Sequence, residues 1–293
     1  MNTRIAPSPS GDMHIGTART AYHNWLAARS TGGRFILRID DTNQHKIDPQ
    51  YTQVIIDTMA WLKLDYDEIV YQSSRFPLYK TVAESLIEQG KAAVIDGATV
   101  LTQVELPESW HDEVAGDIKI SADEKEKTQQ VVLLRSDGSP TYHFASVVDD
   151  AQLGIDLVLR GHDHISNTAR QIAIFNAIGS PIPKFAHIGL IFQNKKKLSK
   201  RDGAASMLFY REKGYDPDAM LNFLLRMGWG PFPDDKTTVL IDQDRAKELF
   251  RMSGFRNAPA GMDLEKLEAF DRKYKAKKGI WRNGAKLLSG DNN

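Results

Sequence analysis

Before residue 40 the chain switches from a strand-forming run to a helical period and back, and that succession limits the folds open to it. Thr3-Arg-Ile-Ala6 reads as a short strand, stopped by Pro7 and Pro9, while Gly11 permits a tight backbone turn. From Thr17 to Arg29, the residues Ala18, Ala21, Tyr22, Trp25 and Leu26 recur at helical spacing. Gly32 and Gly33 end that helix, and Arg34-Phe-Ile-Leu-Arg-Ile39 supplies the next strand. Two more helices are predicted, one after Pro49 with Val54, Ile55, Met59 and Leu62 on one side, and one after Pro77 closing at Gly90. Such alternation predicts an α/β fold, a parallel sheet covered by helices.

Residues 91–127 break the rhythm. Their β-leaning pieces, Ala98 to Val104 and Gly116 to Ile120, flank Pro107, and between 104 and 126 stand eight acids and two lysines. Taken alone, the segment reads as a solvated surface insertion that splits the sheet. After the Ser136-Asp-Gly-Ser-Pro140 turn, Tyr142 to Val148 and Ile155 to Leu159 are predicted to resume the strand pattern, followed by a helix from Asn167 to Ala177. From Pro217 onward the signals are helical.

Composition narrows the chemistry. Zero cysteines exclude a thiolate nucleophile and any cysteine-based zinc or iron–sulfur site. No apolar stretch approaches the ~20 residues a membrane span needs, and the start carries no signal-peptide core, so a cytoplasmic protein without membrane partners is expected. The formal net charge of +0 hides segregation, because Lys195 to Arg201 holds five basic residues in seven.

Two segments carry chemistry. In Arg4-Ile-Ala-Pro-Ser-Pro-Ser-Gly-Asp-Met-His-Ile-Gly-Thr-Ala-Arg19, a strand leads through a loop to His14 and Gly16 at a helix start. Free N–H groups and the positive dipole end there favour a phosphate, and Gly16 removes a side chain that would keep a nucleotide away. A lone histidine is more often simply packed; its position after this loop shifts the balance. The second segment is Asn194-Lys-Lys-Lys-Leu-Ser-Lys-Arg-Asp-Gly203. A basic run is usually a solvated surface, yet Lys197 and Lys200 are spaced to bring ammonium groups to a polyphosphate.

Together these segments resemble the paired nucleotide signatures of class I aminoacyl-tRNA synthetases. Arg38-Ile-Asp-Asp-Thr-Asn43, Gly138-Ser-Pro-Thr-Tyr-His-Phe144, Val147-Val-Asp-Asp150 and Arg160-Gly-His-Asp-His-Ile-Ser-Asn-Thr168 resemble successive landmarks of glutamyl-tRNA synthetases. Tyr215 to Trp229 and Met262 to Leu267 resemble that family's stem-contact segment. The resemblance implies a Rossmann-like, nucleotide-binding catalytic domain in two halves, 1–90 and 128–210, a short connective acceptor-binding insertion at 91–127, and a helical stem-contact module with basic tail at 211–293.

It also implies a site. Arg4, Ala6, Ser8, Asp40, Tyr142, Arg160 and His164 would bind glutamate, with Arg160 facing the γ-carboxylate and Asp40, where the family usually has Glu, facing the α-ammonium. ATP would meet Gly11, His14, Gly16, Leu190, Ile191, Lys197, Ser199, Lys200 and Arg201, of which His14, Lys197 and Lys200 would act in catalysis. Mg²⁺ is expected with ATP, and no zinc. Lys273, Lys275, Lys277 and Lys278 would follow the tRNA backbone. The reaction implied is formation of glutamyl-adenylate and transfer of glutamate to tRNA by a compact, monomeric enzyme that stops before the family's anticodon-reading region. Two alternatives stand beside it: an enzyme like glutamyl-queuosine tRNA(Asp) synthetase, and a silent RNA-binding paralogue.

Overall fold

The computed structural model describes residues 1–43, 47–193, 196–197, 205–230, 240–279, 281–282 and 285–286, without side chains at 127, 193, 196–197, 281–282 and 285–286. The N-terminal half opens with β1 (Thr3–Ile5), α1 (Ile15–Ser30), β2 (Phe35–Ile39), α2 (Pro49–Trp61) and β3 (Glu68–Tyr71). The three strands pair in parallel, with Arg4 opposite Ile36 and Arg38 opposite Val70. Every residue of β2 is buried, Arg38 included, as expected of a parallel strand covered on both faces.

α3 (Phe76–Glu88) then leads to the hairpin of β4 (Ala92–Ile95) and β5 (Ala98–Leu101), which turns at Asp96-Gly97 with φ of 49° and 80°. Positive φ at both turn residues is what a two-residue hairpin requires, and Asp-Gly meets it. Next come β6 (Ser109–Asp112), β7 (Gly116–Lys119), α4 (Ala122–Lys127) and β8 (Val132–Leu134), the last pairing with β5.

The sequence reading of 142–148 as a strand does not hold. These residues begin α5 (Tyr142–Gln152). Thr141 accepts the Phe144 N–H as a helix cap, and the apolar residues then face the interior at helical spacing; the cap outweighs the β preference of Val147 and Val148. β9 (Leu157–Gly161) and α6 (Thr168–Ile178) follow as expected, and β10 (Lys184–Ile188) is a strand that the sequence reading did not include.

Segment 91–127 is likewise more than a surface insertion. β6 pairs in parallel with β10, giving a second sheet in the order β7-β6-β10-β9. Along β6, Trp110 and Asp112 alternate inward, and Trp110 packs edge-on against Phe185 and His187. The acidic composition concealed one interior acid.

The Asn2 carbonyl accepts from Asp156 N at 2.9 Å and so brings the start of β9 beside β1. Strand order runs outward in opposite directions from this junction, the place where α/β sheets open a crevice at their carboxyl ends.

The chain continues through β11 (Ile191–Gln193), β12 (Lys196–Lys197), α7 (Met207–Glu212), α8 (Pro217–Arg226), α9 (Gln243–Leu249), β13 (Ala260–Gly261) and α10 (Leu264–Lys277). The helices from α8 onward share a core with α1: Tyr22 and Leu26 belong to the same buried cluster as Met220, Leu224, Phe270 and Tyr274. β13 pairs with β11, so residues far along the chain hold the strand that precedes the lysine-rich segment.

Candidate active site

A cleft of about 870 Å³ opens where β1, β2 and β9 end and α1 begins. Arg4, Ala6 and Ser8 enter it from β1 and the following loop, Arg38 from β2 and Asp40 from just beyond its end, Tyr142 from α5, and Arg160 and His164 from β9 and the turn after it. His14, Gly16, Leu190 and Ile191 line it as well.

Its floor is an ion network. Arg38 donates from Nε to Asp40 Oδ1 (2.7 Å), from Nη2 to Asp40 Oδ2 (3.1 Å) and from Nη1 to Asp150 Oδ1 (2.8 Å). Arg4 grips Asp150 with Nε (3.0 Å) and Nη2 (3.2 Å). Asp149 accepts from Gln72 Nε2 (2.7 Å), Arg75 Nε (2.7 Å) and the Tyr79 hydroxyl. Burial opposes the Arg38 charge, but Asp40, Asp150 and Asp149 together hold it well above the ordinary arginine value. Burial also opposes the Asp150 charge, and Arg4 and Arg38 outweigh it, so this carboxyl lies below its usual range. Asp40 is raised by burial, which Arg38 only partly offsets.

Arg160 is held differently. Its Nε donates to His187 Nε2 at 2.9 Å and its Nη2 to the Thr168 hydroxyl at 3.0 Å, both neutral partners, and burial lowers its pKa.

At the opposite end His14 caps α1, its Nδ1 accepting the Gly16 N–H at 3.0 Å, which places the ring hydrogen on Nε2. A side chain at Gly16 would press on that ring, with Cβ 3.1 Å from His14 Nδ1. Arg19, brought down to about 10 by burial, donates to the carbonyls of Gly189 (2.5 Å) and Met227 (3.3 Å), tying α1 to the backbone before β11 and to the end of α8.

A family model described as "tRNA synthetases class I (E and Q), catalytic domain" matches residues 1–99 and 98–275. The chain belongs to this family. It is 36% identical over 330 residues to the glutamate–tRNA ligase of Syntrophotalea carbinolica, covering 99% of this chain and 69% of that protein. It is 44% identical over 275 residues to glutamate–tRNA ligase 2 of Neorickettsia sennetsu, covering 93% and 65%. The chain thus spans about two thirds of the length of these relatives. A crystal structure of a glutamate tRNA ligase from Elizabethkingia meningosepticum in complex with its amino acid matches with a TM-score of 0.86 at 25% identity, over 96% of this chain and 71% of that one.

Within this class I synthetase, all seven residues that the resemblance assigns to the amino acid line the one cleft, together with His14, Gly16, Leu190 and Ile191. Gly11 lies in the loop before α1, outside the lining. Lys197 is placed by its backbone, paired with Phe192 across β11 and β12. Ser199, Lys200 and Arg201 lie outside the described residues. Lys275 is bonded to Asp271 (2.6 Å) and Lys278 to Asp216 (2.8 Å) and Asp218 (2.6 Å), which leaves Lys273 and Lys277 as the exposed pair on α10.

Sequence reasoning missed the supports. Arg38, Asp149, Asp150 and Thr168 stood inside motifs quoted only as landmarks, and an arginine within Phe-Ile-Leu-Arg-Ile was itself a signal of a buried ion pair. Arg19 closed the first motif without being given a role, and Gln72 gave no comparable signal.

Proposed function

We propose that this chain activates L-glutamate with ATP to glutamyl-adenylate and transfers the glutamyl group to the 3′ end of tRNA. The observation that carries this reading is Arg160. Arg4 and Arg38 face carboxylates of the protein, whereas Arg160 spends its hydrogen bonds on a neutral imidazole and a hydroxyl. A buried guanidinium without a carboxylate bonded to it is poised for one supplied by a ligand, and its planar fork favours a carboxylate over an amide.

With the γ-carboxylate on Arg160, the α-ammonium falls to Asp40 and the α-carboxylate turns toward the nucleotide end. There it attacks the α-phosphorus of ATP; an oxygen–phosphorus bond forms and the bond to pyrophosphate breaks. The His14 Nε2–H, the start of α1 and the lysines at 197 and 200 offset phosphate charge. The backbone from Gly189 to Ile191 receives adenine. Mg²⁺ would come bound to ATP and would offset the charge of its phosphates; among the described residues no cluster of three histidines, cysteines or carboxylates could hold a metal by itself. A terminal ribose hydroxyl of tRNA then attacks the activated carbonyl and AMP leaves.

The test is charging of fractionated tRNA with labelled glutamate, before and after periodate oxidation, with queuosine-free tRNA in parallel. Charging that survives removal of queuosine and is lost on oxidation supports acylation at the 3′ ribose. Charging confined to queuosine-containing tRNA(Asp) overturns it in favour of base modification.

A further inference from the structure

Segment 91–127 reaches the amino-acid end of the cleft through Asp112. Its Oδ2 lies 2.6 Å from His187 Nδ1, and its Oδ1 accepts backbone N–H groups from Val114 (3.0 Å), Ala115 (2.7 Å) and His187 (3.2 Å). The Nε2 of the same imidazole is the acceptor for Arg160 Nε. Asp112, His187 and Arg160 are 1%, 0% and 6% exposed, so no water competes for these groups.

The hydrogens follow from donor and acceptor rules. Arginine Nε–H can only donate, so His187 Nε2 carries a lone pair and the ring hydrogen sits on Nδ1, where the Asp112 carboxylate accepts it. The carboxylate therefore selects the tautomer, and the tautomer creates the acceptor that, with Thr168, sets the plane of the guanidinium. Trp110 meets the His187 ring edge-on at 5.6 Å and limits its rotation. Burial pushes His187 down to about 4, against the pull of Asp112, so the ring is neutral near pH 7 and presents no second donor to Arg160.

We propose that Asp112 and His187 are positioning residues that aim Arg160 at the side-chain carboxylate of the amino acid, so that selectivity for glutamate over glutamine depends on a residue of the acidic segment. The inference rests on the reading of Arg160 as the γ-carboxylate ligand. It gives segment 91–127 a part in amino-acid choice, separate from any contact with tRNA.

Asp112→Asn is the discriminating variant. Its amide oxygen can keep the three backbone bonds of Oδ1, while its NH₂ faces Nδ1 and forces the ring hydrogen onto Nε2, against Arg160. A wrong-tautomer variant of this kind preserves shape and loses function. In ATP–pyrophosphate exchange by the full chain with total tRNA present, we expect the KM for glutamate to rise at least tenfold. The preference for glutamate over glutamine falls by a similar factor, and the KM for ATP stays within twofold. A drop in kcat with both KM values and the preference unchanged marks a purely structural role and overturns the proposal.

Arg160→Ala, assayed in parallel, separates the two levels. Lost preference in Arg160→Ala with full preference in Asp112→Asn overturns the Asp112–His187 linkage alone. Full preference in Arg160→Ala overturns the reading of Arg160 and the inference with it. Should Asp112→Asn fail to fold, ¹⁵N-histidine spectra of the unmodified protein decide: a neutral His187 protonated on Nδ1 is expected, and protonation on Nε2 overturns the proposal.

Discussion

Arg38 grips both oxygens of Asp40, Nε to Oδ1 at 2.7 Å and Nη2 to Oδ2 at 3.1 Å, and spends its remaining nitrogen on Asp150. The residue proposed to receive the α-ammonium is thus placed by a neighbour two positions back, within the strand that Asp40 directly follows. Aspartate is one methylene shorter than the family's usual glutamate, and this fork fixes where its carboxylate stands.

Removing Arg38 tests that arrangement. Arg38→Met leaves buried Asp150 and partly buried Asp40 without their shared cation, and we expect a loss of about 3–5 kcal/mol in urea unfolding, the usual penalty for breaking a buried pair from one side. Arg38→Lys keeps the charge but cannot bond both carboxylates in one plane. That variant is expected to fold with a smaller loss and to raise the KM for glutamate about tenfold, equivalent to roughly 1.4 kcal/mol, while leaving the KM for ATP in place.

Gly189 bears on the nucleotide end. A Cβ there would lie 2.1 Å from the Ala258 carbonyl oxygen and 2.7 Å from its carbon, both backbone atoms that cannot rotate away. Gly189→Ala is expected to push residues 258–260 off β11, costing about 1–3 kcal/mol in chemical denaturation, with a larger rise in the KM for ATP than for glutamate.

These supports show what was legible in the sequence and why the rest was not. The strand–loop–helix–strand opening was readable because Pro7, Pro9, Gly32 and Gly33 punctuate it, and the cleft residues were readable from their motifs. Tyr142 to Val148 was misread as a strand, since the adjacent Val147 and Val148 carry no period of their own and Thr141, which caps the helix, lies just outside the run. Asp112 vanished into an acidic average. Composition records how many acids a segment holds, whereas pairing with β10 decides which one faces the interior.

Acid should loosen the fold through its buried histidines. Burial lowers His187 to about 4 and His23 to about 3, so below the ordinary value near 6.5 the unfolded chain binds protons that the folded chain refuses. Stability is therefore level above pH 6.5 and falls as pH drops toward 4, by about 1.4 kcal/mol per pH unit for each such histidine. Asp40, raised by burial, and exposed His111, raised by Asp117, act with the opposite sign on one proton each. Urea midpoints measured from pH 7.5 to 5 are expected to fall steadily below 6.5; a midpoint that rises on acidification contradicts the assignment.

On α10, the lysines divide by partner. Lys273→Ala with Lys277→Ala is expected to weaken tRNA binding and to reduce the slope of log affinity against log salt by about 1.5, one phosphate contact for each lysine. Lys278→Ala removes bonds to Asp216 and Asp218 at a half-exposed site, and should lower the unfolding free energy by no more than about 1 kcal/mol while leaving the salt slope intact.

The central claim is that one cleft joins glutamate to ATP, with Arg160 choosing the amino acid. ATP–pyrophosphate exchange measures that directly, run with glutamate and with glutamine in the presence of total tRNA. The account predicts exchange with glutamate, at least a hundredfold preference over glutamine, and loss of that preference in Arg160→Ala. Absence of exchange with glutamate, or an unchanged preference in Arg160→Ala, would contradict it.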